Sequence, residues 1–179
     1  MPAKVVREFS TLIMRKSSYL LSALIGYGCL SPVASMAQGS PITDAYRQLR
    51  LLSSSTEAGI SYNNFGDEWR KALGFINIAI EDSKPSKLTE KLQEVKLIYS
   101  DASDFWSCRF SSKYISVAIN HCLNSGFKDR NPVTMEFLRG QLSRSEYMEM
   151  GDVVPAVVPV MFGKGSQQVR ELGELLKKK

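Results

Sequence analysis

Thr56-Glu57-Ala58-Gly59-Ile60-Ser61-Tyr62-Asn63-Asn64-Phe65 reads as the end of one helix and the start of the next, with almost nothing between them. Gly59 suits the position just past a helix end, where the backbone turns left-handed and a Cβ is penalised. Ser61 can cap the following helix, its hydroxyl accepting a hydrogen bond from a free amide of the first turn. With that cap, Ile60 and Phe65 occupy the two positions that staple hydrophobically across a helix start. Two helices joined this tightly cannot run on as one rod. They must fold against each other.

The flanking sequence carries helical stripes on both sides of the break. Before it, Ala45, Leu49, Leu52, Thr56 and Gly59 alternate in steps of four and three, which predicts a helix over about 44–58, with Asp44 complementing the dipole at its start. After it, Phe65, Trp69, Ala72, Ile76 and Ala79 keep the same spacing and predict a helix over about 62–82. Ser86 is the expected cap of a third helix over about 86–109. Its stripe Leu88, Leu92, Val95, Tyr99, Ala102 and Trp106 is the cleanest heptad in the chain. Such a seam asks for crossing angles near +20°, as in antiparallel bundles.

Beyond Ser107 the pattern weakens. Ser112 is read as the cap of a short helix over about 113–123, stopped by Asn124-Ser125-Gly126. Lys128-Asp129-Arg130 reads as a solvated loop. Asn131-Pro132 is a start signal for a helix over about 132–142, with proline at the first helical position. The apolar run Val153–Phe162 is too short to span a membrane, which needs about 20 residues. Its prolines, Pro155 and Pro159, argue against a central strand. Val158, Phe162, Gly165, Val169, Leu172 and Leu176 step by four and three and predict a helix over about 152–178. Asp152 would cap it, Pro155 would fall in its first turn and Pro159 would kink it. An extended segment over 152–163 is the alternative. The predicted fold is all-α, an antiparallel bundle of about four main helices with two short ones.

A length of 179 residues suits one domain, about 100–200 residues being usual. A hydrophobic fraction of 44% argues against wholesale disorder. The formal charge is +5, yet Lys4, Arg7, Arg15, Lys16 and Glu8 all precede Gln38. Without them the 23 basic and 18 acidic residues become 19 and 17, too balanced to suggest nucleic-acid binding. Residues 1–37 read as a secretory signal peptide: a basic leader, the apolar run Tyr19–Gly28, then Ser35-Met36-Ala37 before a cut between Ala37 and Gln38. An uncleaved anchor and lipid attachment at Cys29 are the alternatives. Residues 38–179 then form a single exported domain, periplasmic or secreted, with two remaining cysteines. Cys108 and Cys122 are an even pair, expected to be bonded; two buried free thiols are the alternative.

No catalytic constellation is read from the residues, and no cofactor or metal is expected. His121 is the single histidine, which excludes a di-iron site built on two Glu-x-x-His motifs. A b-type haem would need His121 with Met135, Met148 or Met161; methionine is more often core filler. Gly163-Lys164-Gly165-Ser166 has the wrong order for a phosphate loop. Asp101 with Asp104, and Glu146 with Glu149, could share helical faces and are expected to be solvated. Lys177, Lys178 and Lys179 could touch anionic lipid, but cations at a helix C-terminus have a sufficient role in complementing its carbonyls. Tyr62, Trp69, Tyr99 and Trp106 either line a ligand pocket between helices or belong to the core.

The motif Thr56-x-x-Gly59-Ile60-Ser61-Tyr62-x-x-Phe65, with the aromatic heptad ending at Trp106, resembles a group of small exported bacterial helical proteins frequent in cyanobacteria. The likeness covers about residues 45–110. It implies an exported helical fold and supplies no site residues; the Cys108/Cys122 pair and the prolines of the last helix depart from it. Together these features make the chain an expected non-catalytic binding or structural module of the cell envelope, with an unidentified envelope protein or small ligand as partner. The alternative is a carrier of a small apolar ligand or haem. N-terminal sequencing of protein recovered from the envelope is expected to begin at or near Gln38, and a mature chain retaining Met1 would contradict export by cleavage.

Overall fold

The computed structural model describes residues 39–178, and every regular element among them is helical. The segment read as a signal peptide, with the expected cut between Ala37 and Gln38 and the alternative site Cys29, lies outside the described residues, as does Lys179. Helix α1 (Pro41–Glu57) starts earlier than its apolar stripe implies. The Ser40 hydroxyl accepts from the Thr43 amide at 3.3 Å, and Pro41 takes the first helical position. Asp44 therefore falls inside the first turn instead of opening it.

At the far end of α1 the break is where the sequence predicts it. Ala58 is still right-handed, and Gly59 then turns to φ +88°. Ser61 accepts from the Asn64 amide at 3.4 Å and starts α2 (Tyr62–Glu81). Helix α3 (Lys87–Ser111) opens on a reciprocal cap: the Thr89 amide donates to Ser86 Oγ at 3.4 Å, and the Ser86 amide donates to Thr89 Oγ1 at 2.8 Å.

Between α3 and the last helix the structure corrects several expectations. Ser112 closes α3, its amide donating to the Cys108 carbonyl at 2.8 Å, and does not cap the next turn. That turn, α4 (Ile115–Val117), runs into a π-helical turn at Ala118–Cys122, where the Leu123 amide reaches back five residues to the Ala118 carbonyl. Asn124 does not end a helix into a loop; its side chain accepts from the Phe127 amide at 2.7 Å and caps α5 (Ser125–Arg130). Capping residues punctuate in both directions, and here the start outweighs the stop. Helix α6 (Pro132–Leu142) begins as its Asn-Pro signal predicts, although the Asn131 side chain is used elsewhere.

Helix α7 (Met150–Lys177) starts before Asp152 and has no side-chain cap. Its start is set by a short antiparallel pairing: the Met150 amide donates to the Lys113 carbonyl at 2.8 Å, and the Ile115 amide donates to the Met148 carbonyl at 3.0 Å. Pro155 consequently lies in the helix interior with Pro159, and the helix continues through both. Residues 152–163 are helical, not extended.

Four long helices make the framework: α1 packs on α2 and α7, and α3 packs on α2 and α7. Fully buried Tyr99, Phe65, Phe105, Leu49, Ile76 and Leu92 lie at the core. Aromatic rings join the layers, with Phe65 and Phe162 4.8 Å apart, Trp69 and Tyr99 5.8 Å, and Trp106 and Phe162 5.7 Å. Glycine lets α7 come close to α3, since a Cβ at position 165 would sit 2.7 Å from the Tyr99 ring. Polar ties cross the same seams. Lys91 on α3 reaches Glu171 at 3.1 Å and Gln168 at 2.7 Å on α7, and Arg170 on α7 reaches Glu57 on α1 at 3.1 Å.

The break supplies a test with opposite signs for two models. Nothing lies within 4 Å of a Cβ built on Gly59, so a side chain there costs backbone energy alone. Gly59→Ala is expected to destabilise by about 1 kcal/mol or more. In an uninterrupted rod the same change would stabilise by up to about 1 kcal/mol. Urea melts of equal slope decide the matter, and a raised midpoint for the alanine variant would reject the left-handed corner.

Candidate functional site

The Gly59 corner, the end of α3 and the proline-bearing turns of α7 border a cavity of about 250 Å³ that is partly open to solvent. Its walls include Ile60, Val154, Val158 and Phe162, with Trp106 and Arg109 contributed by α3. The local sequence explains each wall. Ile60 faces inward because it follows the left-handed residue and precedes the Ser61 cap. Trp106 and Arg109 are three residues apart and so share a helix face. Val154 and Val158 lie four apart on α7, alongside Pro155 and Pro159, which also line the space.

The prolines change the chemistry of that wall. Neither has an N–H, so the carbonyls of Gly151 and Pro155 lack the donor four residues on that an α-helix normally provides. The Pro155 carbonyl is flanked by the two prolines lining the cavity. Proline at 159 leaves that carbonyl without its usual helical donor. Arg109 is exposed and carries its guanidinium 5.3 Å from the Phe110 ring centroid. Among the described residues it forms no ion pair. The cavity thus combines aliphatic and aromatic walls with the Arg109 cation, Thr56 and the Trp106 indole, whose buried N–H has no partner.

A second polar group lies deeper. Ser53 donates to Ser166 at 2.8 Å in the buried seam between α1 and α7, and Thr56 returns its hydroxyl to the Ser53 carbonyl at 2.9 Å. The Tyr99 hydroxyl is buried near these groups and makes no hydrogen bond. Burial pushes its phenol above the ordinary tyrosine range, with the neighbouring Ser166, Thr56 and Ser53 hydroxyls pulling the other way.

The residues singled out in the sequence lie in several separate places, with Trp69 and Tyr99 in the core. The four aromatics do not share one pocket. Tyr99 is fully buried, and Trp106 lines the corner cavity. Tyr62 and Trp69 line a separate groove of about 470 Å³ beside Asp67 and Arg70, which pair with each other. Asp101 is not solvated: its side chain is 4% exposed, and Arg130 donates to it from Nε at 3.0 Å and from a terminal nitrogen at 2.5 Å. Asn131 adds a third donor at 2.8 Å, which occupies the side chain expected to cap α6. This carboxylate is satisfied and ties α5 and α6 back to α3. Asp104 is held above the usual carboxylate range by partial burial and by the charge of Asp101.

Glu146 is exposed, and Glu149 pairs with Lys113 at 3.1 Å. His121 is exposed on the π-helical turn and does not line the corner cavity; nor do Met135, Met148 or Met161. Gly163 to Ser166 are interior residues of α7, not a loop. Lys177 pairs with Glu174 at 2.8 Å at the end of α7, and Lys178 is exposed beside it. The structure joins Cys108 on α3 to Cys122, with Cα atoms 5.8 Å apart. Of the residues that matter to the cavity, Arg109 has a sequence signal in its spacing from Trp106. Ser166 and Arg130 lie outside the cavity's lining, and their bonds to Ser53 and Asp101 are tertiary contacts with no local sequence signal.

Tyr99 generates a prediction for stability. A folded-state pKa above the unfolded value of 10.0 means the contribution is fully present below pH 10 and is lost as pH rises through the folded value. Tyr99→Phe is expected to remove that alkaline loss. Near neutral pH it is expected to raise stability by about 1 kcal/mol, because it deletes a buried hydroxyl that has no partner. Urea midpoints at neutral and alkaline pH measure both effects, and a lowered neutral midpoint would mean the hydroxyl is bonded. No protein-family model, curated protein or solved structure matches this chain.

Proposed function

We propose that this protein is an exported, non-catalytic binding module of the cell envelope, built as a helical bundle that takes a small apolar molecule into the corner cavity. The observation that carries the reading is the cavity itself, where the ends of α1 and α3 and the first turns of α7 leave about 250 Å³ walled by Ile60, Trp106, Val154, Val158 and Phe162. Apolar lining with few polar groups is what a small-ligand site offers. At about 250 Å³ its volume lies just below the usual range of about 300–1,000 Å³, which favours a compact ligand over a macrocycle.

The export half of the reading rests on the basic leader, the apolar run and the small residues before Gln38. The Cys108–Cys122 pairing agrees with it, because disulfides persist outside the reducing cytosol. No helix among the described residues is long and apolar enough to cross a membrane. The resemblance of the Gly59–Phe65 motif to small exported helical proteins adds support of the same kind.

The test is a titration of the purified protein with N-phenyl-1-naphthylamine, a neutral apolar dye that brightens when it leaves water. Saturable brightening is expected, and Ile60→Trp, which fills the cavity mouth, is expected to reduce it several-fold. A dye response absent from the wild-type protein, or untouched by Ile60→Trp, would remove the cavity from consideration as a binding site.

A further inference from the structure

The chemistry of the corner cavity also narrows what it binds. We propose that its ligand is an anionic amphiphile, a monocarboxylate with a short alkyl or aryl body, and that Arg109 is the residue selecting the charged head; this rests on the cavity being a binding site at all. Three observations converge on that class. First, the walls contributed by Ile60, Val154, Val158 and Phe162 are apolar and give the ligand's body a dry surface. Second, Arg109 stands among the lining residues with no ion pair among the described residues. Its nearest described interaction is with the Phe110 ring, which leaves the guanidinium fork free to take a carboxylate bidentately. Third, the volume of about 250 Å³ accommodates a short body and leaves the head at the solvent edge, where Arg109 is exposed.

The charge arrangement excludes the opposite sign. A cationic head would meet Arg109 directly, and none of the lining residues is acidic. The alternate cationic partner, Arg70 on α2, is already engaged by Asp67 and offers no comparable position.

Trp106 supplies a built-in reporter. The chain has two tryptophans, and Trp69→Phe leaves Trp106, in the cavity wall, as the sole emitter. In that background, octanoate and octanol are titrated against Trp106 fluorescence, with Arg109 intact, as Arg109→Gln and as Arg109→Lys. Octanoate is expected to bind more tightly than octanol and to weaken as salt is added. Arg109→Gln is expected to weaken octanoate by about tenfold, leave octanol unchanged and abolish the salt effect, with Arg109→Lys intermediate. If octanoate and octanol bind alike and Arg109→Gln changes neither, the cavity binds apolar bodies without reading the head; the ligand class is then wrong and the binding module stands. If Arg109→Gln weakens both equally, Arg109 shapes the cavity and does not select charge, which also overturns the assignment. If neither compound moves Trp106 and the naphthylamine dye is silent too, the binding reading fails together with this one.

Discussion

The ring of Tyr99 occupies the space that a side chain at position 165 would need. That single steric constraint sets how closely α7 can approach α3, and through α7 it fixes nearly everything else. Interiors are packed to the density of molecular crystals, so one backbone-to-ring contact positions a whole helix. With Gly165 against Tyr99, Phe162 one turn earlier falls among Phe65, Tyr99 and Trp106. One further turn back, Val158 and Pro159 arrive at the corner cavity. On the other side Ser166 meets Ser53 of α1, which sets the position of α1 against α7. The cavity is therefore a by-product of a close helix contact, placed by residues that do not line it.

The buried hydroxyls give that contact a polar character. Ser53, Thr56, Tyr99 and Ser166 cluster in a seam that could have been wholly aliphatic. Each unpaired buried hydroxyl is costly, and a fully apolar seam would be more stable. What the hydroxyls add is specificity: the Ser53–Ser166 bond is made in one register of α1 on α7 and is broken by sliding either helix by a turn.

Legibility tracks the range of the interactions. The Gly59 turn, the Ser61 and Ser86 caps and the stripes of α1 to α3 are local, so neighbouring residues declare them. Ser40-Pro41 is an equally local signal, but the apolar stripe that draws the eye starts later. Departures from expectation gather between Ser107 and Met150, where structure depends on distant partners. Arg130 reads as a loop residue because its partner, Asp101, is 29 positions away. The start of α7 cannot be placed from Asp152 because it is set by backbone pairing with Lys113 and Ile115, which carries no side-chain signature. The cavity is the least legible feature. Its walls come from three separated segments, and only the Trp106–Arg109 spacing hints at one of them.

The backbone pairing between residues 113–115 and 148–150 has a consequence for how such a chain can vary. It brings the two ends of the segment 116–147 side by side, so everything between them is an excursion that leaves the framework and returns to the same place. The entropy of closing a loop depends only weakly on its length. The excursion's exposed stretch 143–147 can accordingly change length at little cost, whereas Phe127 and Arg130 are held by Phe105 and Asp101 of α3. The chain thus has a framework of four helices and one excursion whose exposed turns can vary in length while its contacts to α3 are kept. The excursion is fastened in three ways: by the disulfide from Cys122 to α3, by Arg130 and Asn131 on Asp101, and by the paired backbone segments at its root.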